Sequence, residues 1–153
     1  MLKRFAGTHK HKVEDRGRVS LPSAFRKVLA TLDTRDLYLI PQMKRPDAHV
    51  CMTGPGFEAY CERVEQTLEN QADREAFDEF VQGSAVPLEA DEAGRIVLAT
   101  AIRQSLGIGK DLVFVGLGSH FEIRAPETHD DRADAASEKA RRLIAEVSMS
   151  GLH

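Results

Sequence analysis

No apolar run in the 153-residue sequence approaches the roughly 18 residues that a membrane-spanning helix needs. The opening Met1-Leu2-Lys3-Arg4-Phe5 leads into no apolar stretch of signal-peptide type, so a cytoplasmic protein is expected. Cysteine is scarce. Cys51 and Cys61 cannot build a disulfide framework, and a reducing compartment is the simpler assumption. Aromatic residues make up only 6% of the chain, yet 42% is hydrophobic and 29% charged, which is too apolar for disorder and too charged for a membrane bundle. A length of 153 residues suits one ordinary domain or two small units sharing a core. Net charge is also small, −3, and taken alone it speaks against a nucleic-acid partner.

That small sum hides a split. Residues 1–27 hold eight basic side chains (Lys3, Arg4, Lys10, Lys12, Arg16, Arg18, Arg26, Lys27) against Glu14 and Asp15, a net of +6. The remaining residues hold 13 basic and 22 acidic side chains, a net of −9. A basic segment on an acidic body is an electrostatic footprint that the overall charge conceals, although a solvated N-terminus would look the same.

Self-comparison distinguishes these readings. Glu14-Asp15-Arg16-Gly17-Arg18-Val19-Ser20-Leu21 aligns with Asp91-Glu92-Ala93-Gly94-Arg95-Ile96-Val97-Leu98 at an offset of 77, which also pairs Phe25 with Ile102, Arg26 with Arg103 and Leu29 with Leu106. At offset 75, Asp36 to Ile40 matches Asp111 to Val115, and at offset 71 Cys51 to Pro55 matches Glu122 to Pro126. Three blocks in one order, with apolar positions in phase, make the chain a duplicated unit.

Each unit predicts an extended segment ending in an acidic residue, a turn at Gly17 or Gly94, a short β-branched or apolar strand, a helix and two further strands. Pro22 suits a helix start, Thr100 a cap, and Gly107 a helix stop. A unit of about 50 residues buries too little core alone, so the two copies are expected to cover one another as an intramolecular pseudo-dimer. Helices trail both units. Phe57, Tyr60, Cys61, Val64 and Leu68 form one apolar stripe, continued by Phe77, Phe80 and Val81 after a break at Asn70. Ala136, Ala140, Leu143, Ile144 and Val147 form another. Such stripes are more often core than interface, and Ser148 to His153 reads as a frayed tail.

The twin acidic-x-x-Gly-Arg turns, each followed by an apolar strand and a helix with Phe25-Arg26 or Ile102-Arg103, resemble the MraZ family. So does Val113-Phe114-Val115-Gly116-Leu117-Gly118-Ser119-His120-Phe121-Glu122-Ile123, and the match runs from about Phe5 to Pro126. The resemblance implies an α+β fold of duplicated AbrB-like units, of the swapped-hairpin, double-psi-like β-barrel kind, with trailing helices. The expected division is residues 8–54 as a first SpoVT–AbrB-like, DNA-binding unit, 55–84 as a helical linker, 85–126 as a second, structural unit, and 127–153 as C-terminal helix and tail. The implied function is a sequence-specific DNA-binding transcriptional regulator, a repressor of the division and cell-wall gene cluster including its own promoter. It would bind short direct repeats of double-stranded DNA as a closed homo-oligomeric ring, in the cytoplasm and associated with the nucleoid. The family's DNA-linked arginine falls on Arg18. Glu14 departs from the usual aspartate of the first motif, whereas Asp91 keeps it.

The duplication adds an internal control. Residues 78–104, equivalent to 1–27, carry Arg95 and Arg103 against five carboxylates, a net of −3; Lys10 becomes Pro87, Lys12 becomes Glu89 and Arg16 becomes Ala93. Only the first unit is therefore expected to face DNA, through Arg4, Lys10, Lys12, Arg16 and Arg18. Lys10, Lys12 and Arg16 suit phosphate contacts. Arg18 can pair with Glu14 across the turn, as Arg95 would with Asp91, or reach guanine in a groove, and the two roles are compatible because a carboxylate can orient an arginine that still reaches DNA. Two alternatives belong to other classes: an AbrB-like dimeric regulator or antitoxin, and a small metal-dependent enzyme. For the latter, His9-x-His11 lacks further ligands at matching spacing, and no Gly-x-Ser-x-Gly or nucleotide fingerprint exists, so no enzyme, metal, cofactor or small-molecule substrate is expected. His9 and His11 read as solvated or phosphate-facing side chains.

Overall fold

The computed structural model describes residues 3–149. The first unit runs β1 (Thr8–Lys12), a single 3-10 turn (Asp15–Gly17), β2 (Arg18–Ser20), α1 (Ser23–Thr31), β3 (Asp36–Pro41), β4 (Ala48–Thr53) and α2 (Gly54–Thr67). After α3 (Gln71–Phe77) and a π-helical turn (Asp78–Gln82), the order repeats: β5 (Val86–Glu89), β6 (Arg95–Val97), α4 (Thr100–Leu106), β7 (Asp111–Gly116), β8 (Phe121–Arg124) and α5 (Pro126–Met149). This is the expected α+β architecture of a duplicated β-rich unit with trailing helices.

The copies exchange strands. β1 pairs antiparallel with β7 and β5 with β3, so each unit's first strand completes the other unit's sheet. The order β1-β7-β8-β4-β3-β5 results, and β2 with β6 forms a separate two-stranded ribbon. The strand exchange and the β4–β8 seam obey the repeat offsets, whereas β7–β8 is shifted by one: Leu37↔Thr53 maps to Leu112↔Arg124, and Arg124 pairs with Val113 instead. His9↔Phe114 is the counterpart of Val86↔Leu39, and Val50↔Glu122 the counterpart of Cys51↔Phe121. Val19↔Ile96 pairs equivalent residues with each other, so a pseudo-two-fold axis passes through the ribbon.

The main core lies between ribbon and sheet. Phe5, Phe25, Phe114 and Phe121 meet there with ring centroids 4.8–6.1 Å apart, most of them edge-to-face. Val19, Ile96, Leu21 and Leu98 close the core from the ribbon side, all fully buried. Burying such side chains contributes about 1.5–3 kcal/mol each. A second cluster, Ile40, Val50, Phe57, Cys61 and Val81, fixes α2 on the opposite face, with Tyr38 stacked on Phe57 at 4.4 Å.

Local signals mostly act as expected. Gly107 ends α4 at φ 70°, and Asn70 restarts the chain as the cap of α3, its side-chain oxygen accepting from the Asp73 N–H at 2.8 Å. Thr100 is not the cap of α4, because the helix already begins there. Ala99 takes the cap position, and the Thr100 hydroxyl accepts from Arg103 Nη2 at 3.1 Å instead. The two trailing stripes diverge. Phe57 and Cys61 are core, whereas residues 134–147 of α5 are exposed without exception, Leu143 at 52% and Ile144 at 63%. Ser148 and Met149 continue the α5 backbone, and the rest of the expected frayed tail, 150–153, lies outside the described residues.

Candidate nucleic-acid interface

Both Gly-Arg turns are built by the same bonds. The Glu14 N–H donates to Arg18 O at 2.8 Å and the Asp91 N–H to Arg95 O at 2.9 Å; Gly17 N–H reaches Glu14 O at 3.1 Å and Gly94 N–H reaches Asp91 O at 2.9 Å. Each turn is also tied across the pseudo-two-fold. Leu98 donates its N–H to Gly17 O, and Leu21 to Gly94 O, both at 2.9 Å. Gly17 and Gly94 share φ +78°, a left-handed angle that glycine tolerates at little cost. Close approach requires glycine at Gly17 as well, where a Cβ would lie 2.2 Å from Leu98 O; one on Gly94 would meet the Arg26 side chain, 2.0 Å from Cδ.

The turns differ where the sequence differs. Arg16 adopts φ 64°, ψ 20°, a left-handed conformation rare for a side chain with a Cβ, whereas its counterpart Ala93 has no positive φ. In the second turn Asp91 binds Arg95 twice: Oδ1 accepts the backbone N–H at 2.8 Å and Oδ2 the Nε–H at 3.3 Å. The Arg95 backbone N–H, and then its charge, hold the Asp91 carboxyl below the usual carboxylate range. In the first turn no such pair forms. Arg18 Nε donates only to Asp15 O, at 3.5 Å, so the bracing partner expected in Glu14 is not used. Among the described residues, Arg18 has no ion pair, and its guanidinium is available to a ligand.

The five candidate residues do not form one patch. Arg16 and Arg18 share the first turn, exposed and half-exposed. Strand alternation sends Lys10 and Lys12 to the sheet face opposite the main core, both exposed. Their neighbours His9 and His11 point inward, ring edges against Phe25 at 5.3 Å and Phe114 at 5.5 Å. These histidines therefore pack on the core instead of facing solvent or phosphate. Burial lowers the His11 pKa, opposed by its contact with the Ser20 backbone. Arg4 is exposed at the far end of β1, where Phe5 and Gly118 exchange backbone hydrogen bonds at 2.7 and 2.9 Å. Among the described residues no group of three His, Cys, Asp or Glu side chains could hold a metal ion, and no helix is long and apolar enough to cross a membrane.

Two structural roles were not anticipated. Arg26, counted in the basic footprint, donates across the axis to Ala93 O at 3.4 Å, and its counterpart Arg103 donates to Leu98 O at 3.1 Å. Their shared offset was the only signal. The second is a polar cluster around Glu122, which is fully buried. It accepts from Gln42 Nε2 and Arg124 Nε at 2.9 Å each and from Arg45 Nη2 at 3.4 Å. Arg124 also meets His129, and Arg132 pairs with Asp47, so the base of α5 is fastened to β8 and to the β3–β4 turn.

Known proteins resemble this chain over most of its length. The chain is 30% identical to "Transcriptional regulator MraZ" of Ruegeria sp. (strain TM1040) over 146 residues, covering 91% of this chain and 87% of the relative. The chain belongs to the MraZ family. The like-named protein of Azorhizobium caulinodans is 32% identical over 144 residues, covering 93% of this chain and 90% of its own length, and that of Gluconobacter oxydans is 31% identical over 143 residues, covering 91% and 86%. A family model described as "MraZ protein, putative antitoxin-like" matches residues 82–146. The relatives are named as regulators of transcription and not as enzymes.

Proposed function

We propose that this chain is a sequence-specific DNA-binding transcriptional regulator whose first turn reads the DNA while the second turn and the helices build the scaffold. The single observation carrying this reading is the contrast between an Arg18 with no ion pair among the described residues, beside a left-handed Arg16, and an Arg95 held by Asp91. A non-glycine residue at a positive φ costs about 1–2 kcal/mol, a strain that at a binding site can hold a side chain in position. The target is the promoter region of the protein's own division and cell-wall gene cluster, where nucleoid-bound protein acts as a repressor on short direct repeats. Arg4, Lys10 and Lys12, which lie apart from that turn, serve as phosphate contacts elsewhere on the surface.

One such face offers few contacts, and a closed ring of copies supplies the rest through avidity on repeated sites. The outer half of α5 supports that assembly, because it leaves Leu143 and Ile144 more than half exposed. The experiment is a salt titration of binding to the duplex upstream of the protein's own gene, with Arg16→Ala and Arg18→Ala. A phosphate contact predicts uniform weakening and a lower salt slope, a base contact predicts lost discrimination between sites, and unchanged affinity in both variants overturns the reading. Solution mass tests the ring. A high-order closed oligomer that Leu143→Glu with Ile144→Glu breaks down supports it, and a simple dimer favours an AbrB-like regulator or antitoxin instead.

A further inference from the structure

The β2–β6 ribbon presents four side chains outward: Arg18 and Ser20 from one strand, Arg95 and Val97 from the other, while Val19 and Ile96 point into the core. Three of the four are polar. Val97, the one apolar side chain of these four, is 53% exposed, and its register partner is Arg18. Residues directly opposite one another in an antiparallel pair lie about 5 Å apart at Cβ. Base pairs stack about 3.4 Å apart. Any base edge reached by Arg18 therefore lies within one or two steps of a base edge reached by Val97.

We propose that Val97, from the unit otherwise assigned to the scaffold, is a specificity-determining residue that packs on the C5-methyl group of a thymine beside the base read by Arg18. This rests on the DNA-binding reading above. A two-stranded ribbon fits the major groove, and the thymine methyl is the only apolar group that a base edge shows there. The minor groove shows no methyl at all, so the pairing of a valine with an arginine also fixes the groove and the bases: guanine O6 and N7 for Arg18, thymine for Val97. The repeat supplies the contrast. The position equivalent to Val97 in the first unit is Ser20, whose cross-strand partner Arg95 is already occupied by Asp91. The ribbon is symmetric in backbone and asymmetric in chemistry, with one arginine–valine pair available and one serine–arginine pair engaged.

The test combines base analogue and substitution. The probe is the duplex upstream of the protein's own gene, with each thymine of the protected region replaced in turn by deoxyuridine, which removes the methyl and nothing else. For the wild-type chain, replacement at one position per site is expected to weaken binding about fourfold per copy, the worth of one buried methyl group. Val97→Ala is expected to bind the thymine and deoxyuridine duplexes equally, with unchanged melting temperature and oligomeric mass. A Val97→Ala variant that keeps the wild-type preference for thymine overturns the inference, as does a wild-type chain indifferent to every deoxyuridine. A changed oligomeric mass in Val97→Ala, with the preference intact, would assign Val97 to a contact between copies instead. If the wild-type chain discriminates no site on that duplex, the DNA reading fails first. If it does discriminate, only the role of Val97 is at stake.

Discussion

The first and second Gly-Arg turns share their backbone hydrogen bonds, their glycine angle and their anchoring across the pseudo-two-fold, and differ in one backbone angle and one ion pair. Duplication explains the likeness: both turns must close the same core through Leu21 and Leu98, and that geometry leaves little freedom. The differences sit on the outward side, where packing imposes nothing. There the second copy pairs its arginine with Asp91 and lacks the basic neighbours that the first carries.

The largest expected effect breaks the likeness. Gly17→Ala places a methyl against a backbone carbonyl that cannot yield, and should cost about 3 kcal/mol or more in urea unfolding. Gly94→Ala meets the flexible stem of Arg26 and should cost about 1–2 kcal/mol, mostly the left-handed angle. Equal losses would mean that the two anchors are not built as described. Next comes function: Arg18→Ala should lose about 1–3 kcal/mol of DNA affinity, while Arg95→Ala leaves affinity near wild type and lowers stability slightly. Equal losses of affinity would show both turns reaching DNA. Arg16→Gly sharpens the contrast further, because it should raise stability by about 1 kcal/mol while weakening binding, whereas Ala93→Gly gains nothing comparable. Opposite signs in a melting experiment and a titration are hard to produce by misfolding.

The smallest effect is titration. Burial lowers the pKa of His11, so its neutral form is favoured in the folded state, and protonation is easier in the unfolded chain. Its contribution is present above the ordinary pKa of about 6.5 and is lost as pH falls through the lowered value. His49 and His120 shift the same way by burial. Stability should therefore decline on acidification below about pH 6.5, and His11→Gln, whose counterpart position is the β5 residue Leu88, should flatten part of that decline in melts from pH 7.5 to 5.

Much of the fold was legible because the repeat wrote it twice. The offsets of 77, 75 and 71 between the copies return as strand registers, and Gly107 and Asn70 act where local chemistry places them. Other features were illegible for physical reasons. Periodicity in α5 marks an apolar stripe without saying what covers it, so a stripe expected as core turned out solvated. Alternation in β1 was visible, but only the partner strand shows that His9 and His11 face the rings of Phe25 and Phe114. Glu122 reads as an ordinary strand residue until Gln42, 80 positions away, is brought to it.

The sequence by itself determined the duplication, the charge asymmetry between the copies and the MraZ-like turn motif, since each is a pattern along the chain that needs no third dimension. Tertiary structure alone decided that the copies exchange their first strands, that Arg95 forms an ion pair while Arg18 forms none among the described residues, and that Val97 stands opposite Arg18. These are relations between residues far apart in sequence or in a backbone angle. They arise only once burial of the shared core has set the register of one copy against the other.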